Sequence, residues 1–131
     1  TTTDTLSLHD ALPILRRAAV VAVPTRYPWE GQPLAILEAY ASGSVVAATD
    51  HAGISDVFVV GRNGPLLVGD TPQQIGTSLA DALRSLLDDP SGSAAIARHN
   101  RDRAELFRRD RFADEVVQVL EHAAAGTSAG R

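Results

Sequence analysis

The chain has 131 residues, 44% hydrophobic and 21% charged, with a formal net charge of −4; this is enough apolar mass for one modest core and a charge balance that argues against nucleic-acid binding. All 12 basic residues are arginine and there is no Cys, which removes lysine chemistry, disulfides, thiol nucleophiles and thiolate metal sites. No apolar run approaches the roughly 18 residues of a membrane helix, and the pair Arg16 and Arg17 follows the first apolar stretch instead of preceding it as in a signal peptide; a reducing, cytoplasmic compartment fits this usage.

The opening "TTTDTLSLHDALPI" (1–14) leads into no clean element, because Pro13 interrupts its only helical candidate. It resembles a translated sequencing adapter and is set apart from the domain. With no Met anywhere, the chain is expected to be a piece of a larger α/β protein. "AAVVAVPT" (18–25) is a Val-rich run stopped by Pro24, which predicts a strand buried on both faces, as in a parallel sheet. "RYPWEGQP" (26–33) is a loop with two prolines and a glycine. "LAILEAYAS" (34–42) predicts a helix with Pro33 at its first position and Gly43 as its left-handed stop. Leu34, Ile36, Leu37, Tyr40 and Ala41 cover much of its circumference, so it is expected to be well buried. "VVAAT" (45–49) is a second buried strand. Strand, loop, helix and strand make a βαβ unit, with a parallel pair and a right-handed crossover.

"DHAGISDVFVVGRNGPLLVGD" (50–70) is rich in turns, with a short segment at 54–60 and a third strand at 66–68. "TPQQIGTSLADALRSLLDD" (71–89) predicts an amphipathic helix capped by Thr71, with Pro72 first and a stripe of Ile75, Leu79, Leu83 and Leu86 beside Ala82. Two further helices are expected at 91–110 and 111–125, and a small polar tail at 126–131 is expected to fray. Leu106, Phe107, Phe112, Val116 and Leu120 are assigned to core and interdomain packing. The fold class is α/β: a Rossmann-like parallel sheet flanked by helices over 15–125.

The chemistry concentrates in "EGQPLAILEAYASG" (30–43). The first four N–H groups of a helix lack internal partners, and the helix dipole is positive there. In an α/β sheet that end faces the crevice at the carboxyl ends of the strands, a prepared place for phosphate or sugar oxygens. Gly31 lets backbone approach a ligand closely. Glu30 precedes the helix, while Glu38 lies about one turn in and leans back toward the N-terminus. Both carboxylates can therefore converge on one ligand, with sugar hydroxyls as their natural donors. The bland alternative makes Glu30 a loop carboxylate near a helix dipole and Glu38 an exposed helix residue.

The run from Val20 to Asp70 resembles the C-terminal domain of retaining GT-B glycosyltransferases of family four, the group 1 transferases. The shared pattern is a strand ending Pro-Thr, Glu-Gly-Gln-Pro-Leu, the second Glu and Ala four and five residues on, Val-Val-Ala, then Gly-Arg-Asn-Gly; it spans about residues 15–122. The resemblance implies that Glu38 binds the ribose hydroxyls of a nucleoside-diphosphate sugar and that Glu30 lies against the donor sugar as the catalytic residue. It implies that Gly31, Gln32, Pro33 and Leu34 form the loop contacting donor sugar and diphosphate; Pro33 cannot donate, so Gln32 and Leu34 supply the N–H groups. It further implies no cofactor and no metal. Ala52-Gly53 departs from the usual Gly-Gly, and Asp56 stands where Glu is common. The family's N-terminal acceptor domain, and the basic residues that hold the diphosphate, match nothing in this sequence.

His51, at a strand end, can touch the crevice or be a plain loop histidine; His9, His99 and His122 lack metal-ligand spacing. Arg26 and Tyr27 flank the loop as candidate substrate contacts. Trp29 is either a sugar-stacking platform or loop packing. The arginines at 98–111 interleave with Asp102, Glu105 and Asp110, as on a solvated face; the alternative is contact with anionic lipid, hence peripheral membrane contact of the parent enzyme, or with its missing domain. The resulting expectation is a hexosyltransferase that uses a nucleotide-sugar donor and an acceptor hydroxyl with retention. The alternative is a truncated donor-binding or interaction module without turnover. An unrelated nucleotide-binding domain is disfavoured, because no Gly-rich dinucleotide fingerprint or Walker motif is present.

Overall fold

The computed structural model describes residues 13–128. In chain order it contains strand β1 (Val20–Val23), helix α1 (Leu34–Ser42), strand β2 (Val45–Ala48), a 3₁₀ turn (Ala52–Asp56), helix α2 (Pro72–Asp88), helix α3 (Pro90–Ala104), a second 3₁₀ turn (Glu105–Phe107) and helix α4 (Arg109–Ser128). Most of the segment set apart at 1–14, with the helical candidate that Pro13 was expected to interrupt, lies outside the described residues; positions 13–15 are helical. Helix α4 runs to Ser128, into the expected polar tail, whose last three positions also lie outside. Among the described residues no helix is long and apolar enough to cross a membrane.

The Val-rich runs pair in parallel, with Val20 opposite Val45 and Val23 opposite Ala48. Side chains alternate across the pair. Val46 and Ala48 join Ile36, Ala39, Tyr40, Ile54, Val57 and Phe58 on one face. Ala47 joins Leu67 and Ile75 on the other, with Leu79 and Ala82 of α2 packed alongside. Strand β2 is buried throughout. Strand β1 corrects the expectation of burial on both faces: its valines are half-buried and Ala22 is exposed, because among the described residues no strand pairs with its outer edge.

The expected third strand is reduced to an incomplete ladder. Val46 N–H donates to Asn63 O at 3.1 Å, Ala48 N–H to Pro65 O at 3.3 Å, and Leu67 N–H to the Ala48 carbonyl at 2.8 Å. Against β2 the described residues form a single isolated bridge, Ala48 with Leu66. Pro65 has no N–H to contribute. Gly64 sits at φ 149°, and a Cβ there would lie 1.8 Å from Val46 O. The backbone is thus pressed against β2 too tightly for any other residue.

Helix α1 matches its predicted bounds, but it buries one face only. Ile36, Ala39 and Tyr40 are enclosed, whereas Leu34 is 69% exposed and Ala41 is also exposed. Helix α2 carries its capping box: Thr71 Oγ1 accepts from Gln74 N at 3.3 Å, and Gln74 Oε1 accepts from Thr71 N at 3.1 Å. The last two helices part at Arg108, earlier than expected. Arg108 is extended at ψ 142° and bridges Glu105 at 3.3 Å and Asp110 at 3.0 Å. Its guanidinium holds the Asp110 carboxyl below the usual carboxylate range. Of the five apolar residues assigned to packing, Phe107 alone joins the core. Leu106, Phe112, Val116 and Leu120 are exposed, because helix α4 packs chiefly on the 3₁₀ turn before it.

Two buried amides tie these pieces together. Asn100 Nδ2 donates to Ser44 O at 2.8 Å and to Asn63 O at 2.9 Å, and its Oδ1 accepts from Asn63 Nδ2 at 2.8 Å. Asn63 Oδ1 in turn accepts from Val59 N at 2.8 Å. Both asparagines are fully buried, and a buried polar group left unpaired costs about 1–3 kcal/mol. Asn100→Ala strands Ser44 O and Asn63 Nδ2, while Asn63 O keeps the Val46 N–H; it is expected to cost about 2 kcal/mol or more in urea denaturation, against about 1 kcal/mol for an ordinary substitution. A loss under about 1 kcal/mol would remove the amide pair from any structural role.

Tyr40 supplies a pH-dependent test. Its hydroxyl donates to Val57 O at 2.9 Å. Burial pushes its pKa from 10.0 up to about 12, opposed by the nearby Arg103 cation. The folded value exceeds the unfolded one and the favoured form is the neutral phenol. Its contribution is therefore complete below pH 10 and lost as pH rises toward 12. Stability is expected to fall over that window by on the order of 2 kcal/mol, and Tyr40→Phe should flatten this part of the curve.

Candidate functional site

Three loops leave the carboxyl ends of β1, β2 and the incomplete third ladder, and side chains stitch them together. The Thr49 hydroxyl donates to Thr25 O. Gly53 N–H donates to Glu30 O at 3.0 Å. The Arg26 guanidinium donates to Gly69 O and lies 3.3 Å from Asp70 Oδ1. Arg26, a candidate substrate contact, is thus engaged in holding the 69–70 loop.

Glu30 is positioned from both backbone and side chain. Its N–H donates to Tyr27 O at 3.1 Å, closing the turn Tyr27-Pro28-Trp29-Glu30; proline favours the second position of such a turn. Its carboxylate accepts from Thr25 Oγ1 at 3.2 Å, and that same oxygen accepts from Tyr27 N at 3.2 Å. Thr25 therefore orients Glu30 while braced by Thr49. Sequence reasoning missed Thr25; the available signal was a hydroxyl directly after the strand-ending Pro24, five positions before the acid.

Pro33 takes the cap position of α1 with an extended ψ of 110°, one place before the expected first helical position. The cap makes no side-chain hydrogen bond, and no acidic residue lies in the first turn. Ile36 N–H turns back to Pro33 O at 3.0 Å, while the Leu34 and Ala35 N–H groups have no partner among the described residues. Gly31 and Gln32 are exposed, and nothing lies within 4 Å of a Cβ built on Gly31. Glu38 is half-buried within α1, and no described residue forms a hydrogen bond or ion pair with its carboxylate. Gln32, Leu34 and Leu37 also line a cleft of about 480 Å³ with Phe107, Arg109 and Phe112. Among the described residues no group of three or more His, Asp or Glu side chains is placed to share a metal ion.

The other candidates separate clearly. Trp29 is 81% exposed and Tyr27 59% exposed, so neither packs the loop. His51 caps the first 3₁₀ turn, and its Nε2 is buried without a partner among the described residues. Asp56 is exposed at the end of that turn. The Ala52-Gly53 departure now has a physical content. A Cβ on Gly53 would lie 2.3 Å from Gly31 O, so glycine is sterically required there. Ala52 adopts φ 47°, a conformation in which glycine would be relaxed.

Comparison with known proteins gives a consistent picture. The family model described as "Glycosyl transferases group 1" matches residues 2–89. The chain is 32% identical over 111 residues to D-inositol 3-phosphate glycosyltransferase of Corynebacterium urealyticum, covering 85% of this chain and 25% of that protein. It is 31% identical over 125 residues to alpha-maltose-1-phosphate synthase of Mycolicibacterium smegmatis, covering 92% and 31% respectively. Its structure is similar to sucrose-phosphate synthase from Thermosynechococcus elongatus, with a TM-score of 0.73 and 28% identity over 90% of this chain and 29% of that one. The chain thus spans about a quarter to a third of these relatives, and its α/β, Rossmann-like fold is that of a GT-B glycosyltransferase domain.

The loop contacts generate a paired prediction. Ala52→Gly relieves a left-handed residue worth about 1–2 kcal/mol at an entropic cost of about 0.5–1 kcal/mol. It should raise stability by about 0.5–1 kcal/mol in thermal or urea unfolding. Gly53→Ala should lower stability by more than that, since the Glu30–Gly31 backbone must move to admit the methyl. Equal effects of the two substitutions would contradict the close approach of these loops.

Proposed function

The chain belongs to the group 1 glycosyl transferases, and from that premise we propose that its site binds a nucleoside-diphosphate sugar for transfer of a hexosyl group to an acceptor hydroxyl with retention. The observation that carries the reading is the placement of Glu30. It is held by Thr25 directly before a helix N-terminus that has no acid and no side-chain cap of its own. The unpartnered N–H groups and the positive end of the dipole suit the diphosphate. Glu38, without a competing partner, suits the ribose hydroxyls.

In this reading the acceptor oxygen forms its bond to the anomeric carbon on the face from which the diphosphate departs. The bond from that carbon to the diphosphate oxygen breaks, and the acceptor proton passes to the leaving phosphate oxygen. Glu30 supports the positive charge that develops on the sugar. The reading uses no metal: the helix end stabilises the departing anion. It places the work on the cytoplasmic side of the membrane, with the acceptor and an N-terminal domain as the further partners.

One observation favours a second reading, a donor-binding module without turnover on its own. Arg26 reaches from the loop but is committed to Gly69 O and Asp70, so it does not stand free to neutralise a diphosphate.

Calorimetric titration of this chain with UDP- and GDP-sugars tests the site. Glu38→Ala is expected to weaken donor binding by about 1.5–3 kcal/mol, the range for hydrogen bonds to a charged group, or about ten- to hundredfold. Unchanged affinity would remove Glu38 from the site. Hydrolysis of the donor by the 131-residue chain would overturn the second reading.

A further inference from the structure

A tryptophan with 81% of its surface in solvent is unusual, because burying so large an aromatic side chain is worth more than almost any other. Trp29 is held out by construction. It occupies the third position of the turn from Tyr27 to Glu30, with Pro28 fixing the second. The turn is closed by the Glu30 N–H to Tyr27 O bond at 3.1 Å and braced by Tyr27 N to Thr25 Oγ1 at 3.2 Å. Its chain neighbour is the carboxylate that Thr25 orients. Consecutive residues of one pinned turn thus carry a π face of negative potential and a hydrogen-bond acceptor. A pyranose ring offers the complement: a face of weakly positive C–H groups, with hydroxyls at its rim. A diphosphate offers neither a C–H face nor neutral hydroxyl donors, and the bare nucleoside diphosphates in the test below separate a stacked base from a stacked pyranose.

We propose that Trp29 is a specificity-determining platform on which a pyranose ring stacks while Glu30 engages its hydroxyls. This rests on the sugar-transfer reading and extends it to a residue that sets which ring is accepted. The ring belongs either to the donor sugar or to a saccharide acceptor, and the two sources separate experimentally. Little ordering cost attaches to the contact, because the turn is already formed and Trp has only two side-chain torsions to fix.

Trp29 is the only tryptophan in the chain, so intrinsic emission and acrylamide quenching report on it alone. UDP-glucose and GDP-mannose, compared with UDP and GDP, form the donor arm; maltose and methyl α-glucoside form the acceptor arm. A blue shift with protection from quenching by the sugar nucleotides, absent with the bare diphosphates, assigns the ring to the donor. The same response to the free saccharides assigns it to the acceptor. No response in either arm overturns the platform, and calorimetric binding of the sugar nucleotides then decides separately whether the donor-site reading stands. Emission that is already blue-shifted and concentration-dependent in the free protein also overturns it, since Trp29 then packs against protein. Trp29→Ala should weaken the responding pyranose ligand by about three- to tenfold, and Trp29→Phe by less, with bare diphosphate affinity unchanged. An equal loss for sugar nucleotide and bare diphosphate would mean that the turn, not the ring contact, had been damaged, and would sink the proposal.

Discussion

The paired amides of Asn63 and Asn100 are the constraint on which the rest of the molecule depends. Two four-residue strands and an incomplete third ladder cannot define a sheet by backbone pairing alone. Asn100, on α3, reaches the carbonyls of Ser44 and Asn63. It thereby fixes the start of β2 and the turn that feeds the third ladder against the same helix. With that end fixed, the register of β2 is set, and so is the place where β2 runs out. Thr49 then meets Thr25, and the 51–53 segment lies on the Glu30–Gly31 backbone. The geometry at the site end is inherited from polar contacts at the far end of the same strand.

Electrostatics decides what the site can accept. A helix N-terminus favours an anion by about 0.3–1 kcal/mol at an exposed position. Two unit charges of like sign at 4 Å repel by about 4 kcal/mol at an effective dielectric constant near 20. A carboxylate in direct contact with a phosphate would therefore overwhelm the dipole. Glu30 and Glu38 are tolerable beside a diphosphate only if donors stand between, and sugar hydroxyls are such donors. Thr25 already plays that part for Glu30, giving its carboxylate one hydroxyl donor in the free chain. Under the proposed function, the two acids would favour a polyol that carries a phosphate over a bare phosphate.

Periodicity made much of this legible. The helix at Leu34–Ser42, the capped start of α2 and the parallel Val-rich pair follow from local rules about prolines, caps and apolar runs. What escaped depends on contacts across the fold. Asn63 and Asn100 stand 37 positions apart, and no spacing rule links them. The positive φ of Ala52 is invisible because alanine does not advertise it, whereas glycine would. The half-burial of β1 and the exposure of α4 were missed for another reason. An apolar pattern says that a surface can be buried, not that a neighbour is there to bury it. For Trp29 the sequence left a stacking platform and loop packing both open; its exposure removes the packing, and the bond closing its turn came from the fold alone.

The distribution of stiffness across the molecule bears on how such a site works. The outer edge of β1 and nearly all of α4 are loosely covered, yet the loops at the strand ends are bound by hydroxyls, by Gly53 and by Arg26. A site built on loops loses affinity when binding must first order them. Here that cost is met during folding, by short contacts among Thr25, Thr49, Glu30 and Gly53. The strain held at Ala52 belongs to the same account: a residue kept at φ 47° persists only where its surroundings over-determine it. Those surroundings are the segment that lies on the Glu30–Gly31 backbone. Local order in the loop that carries Glu30 is thus maintained against the local preference of Ala52.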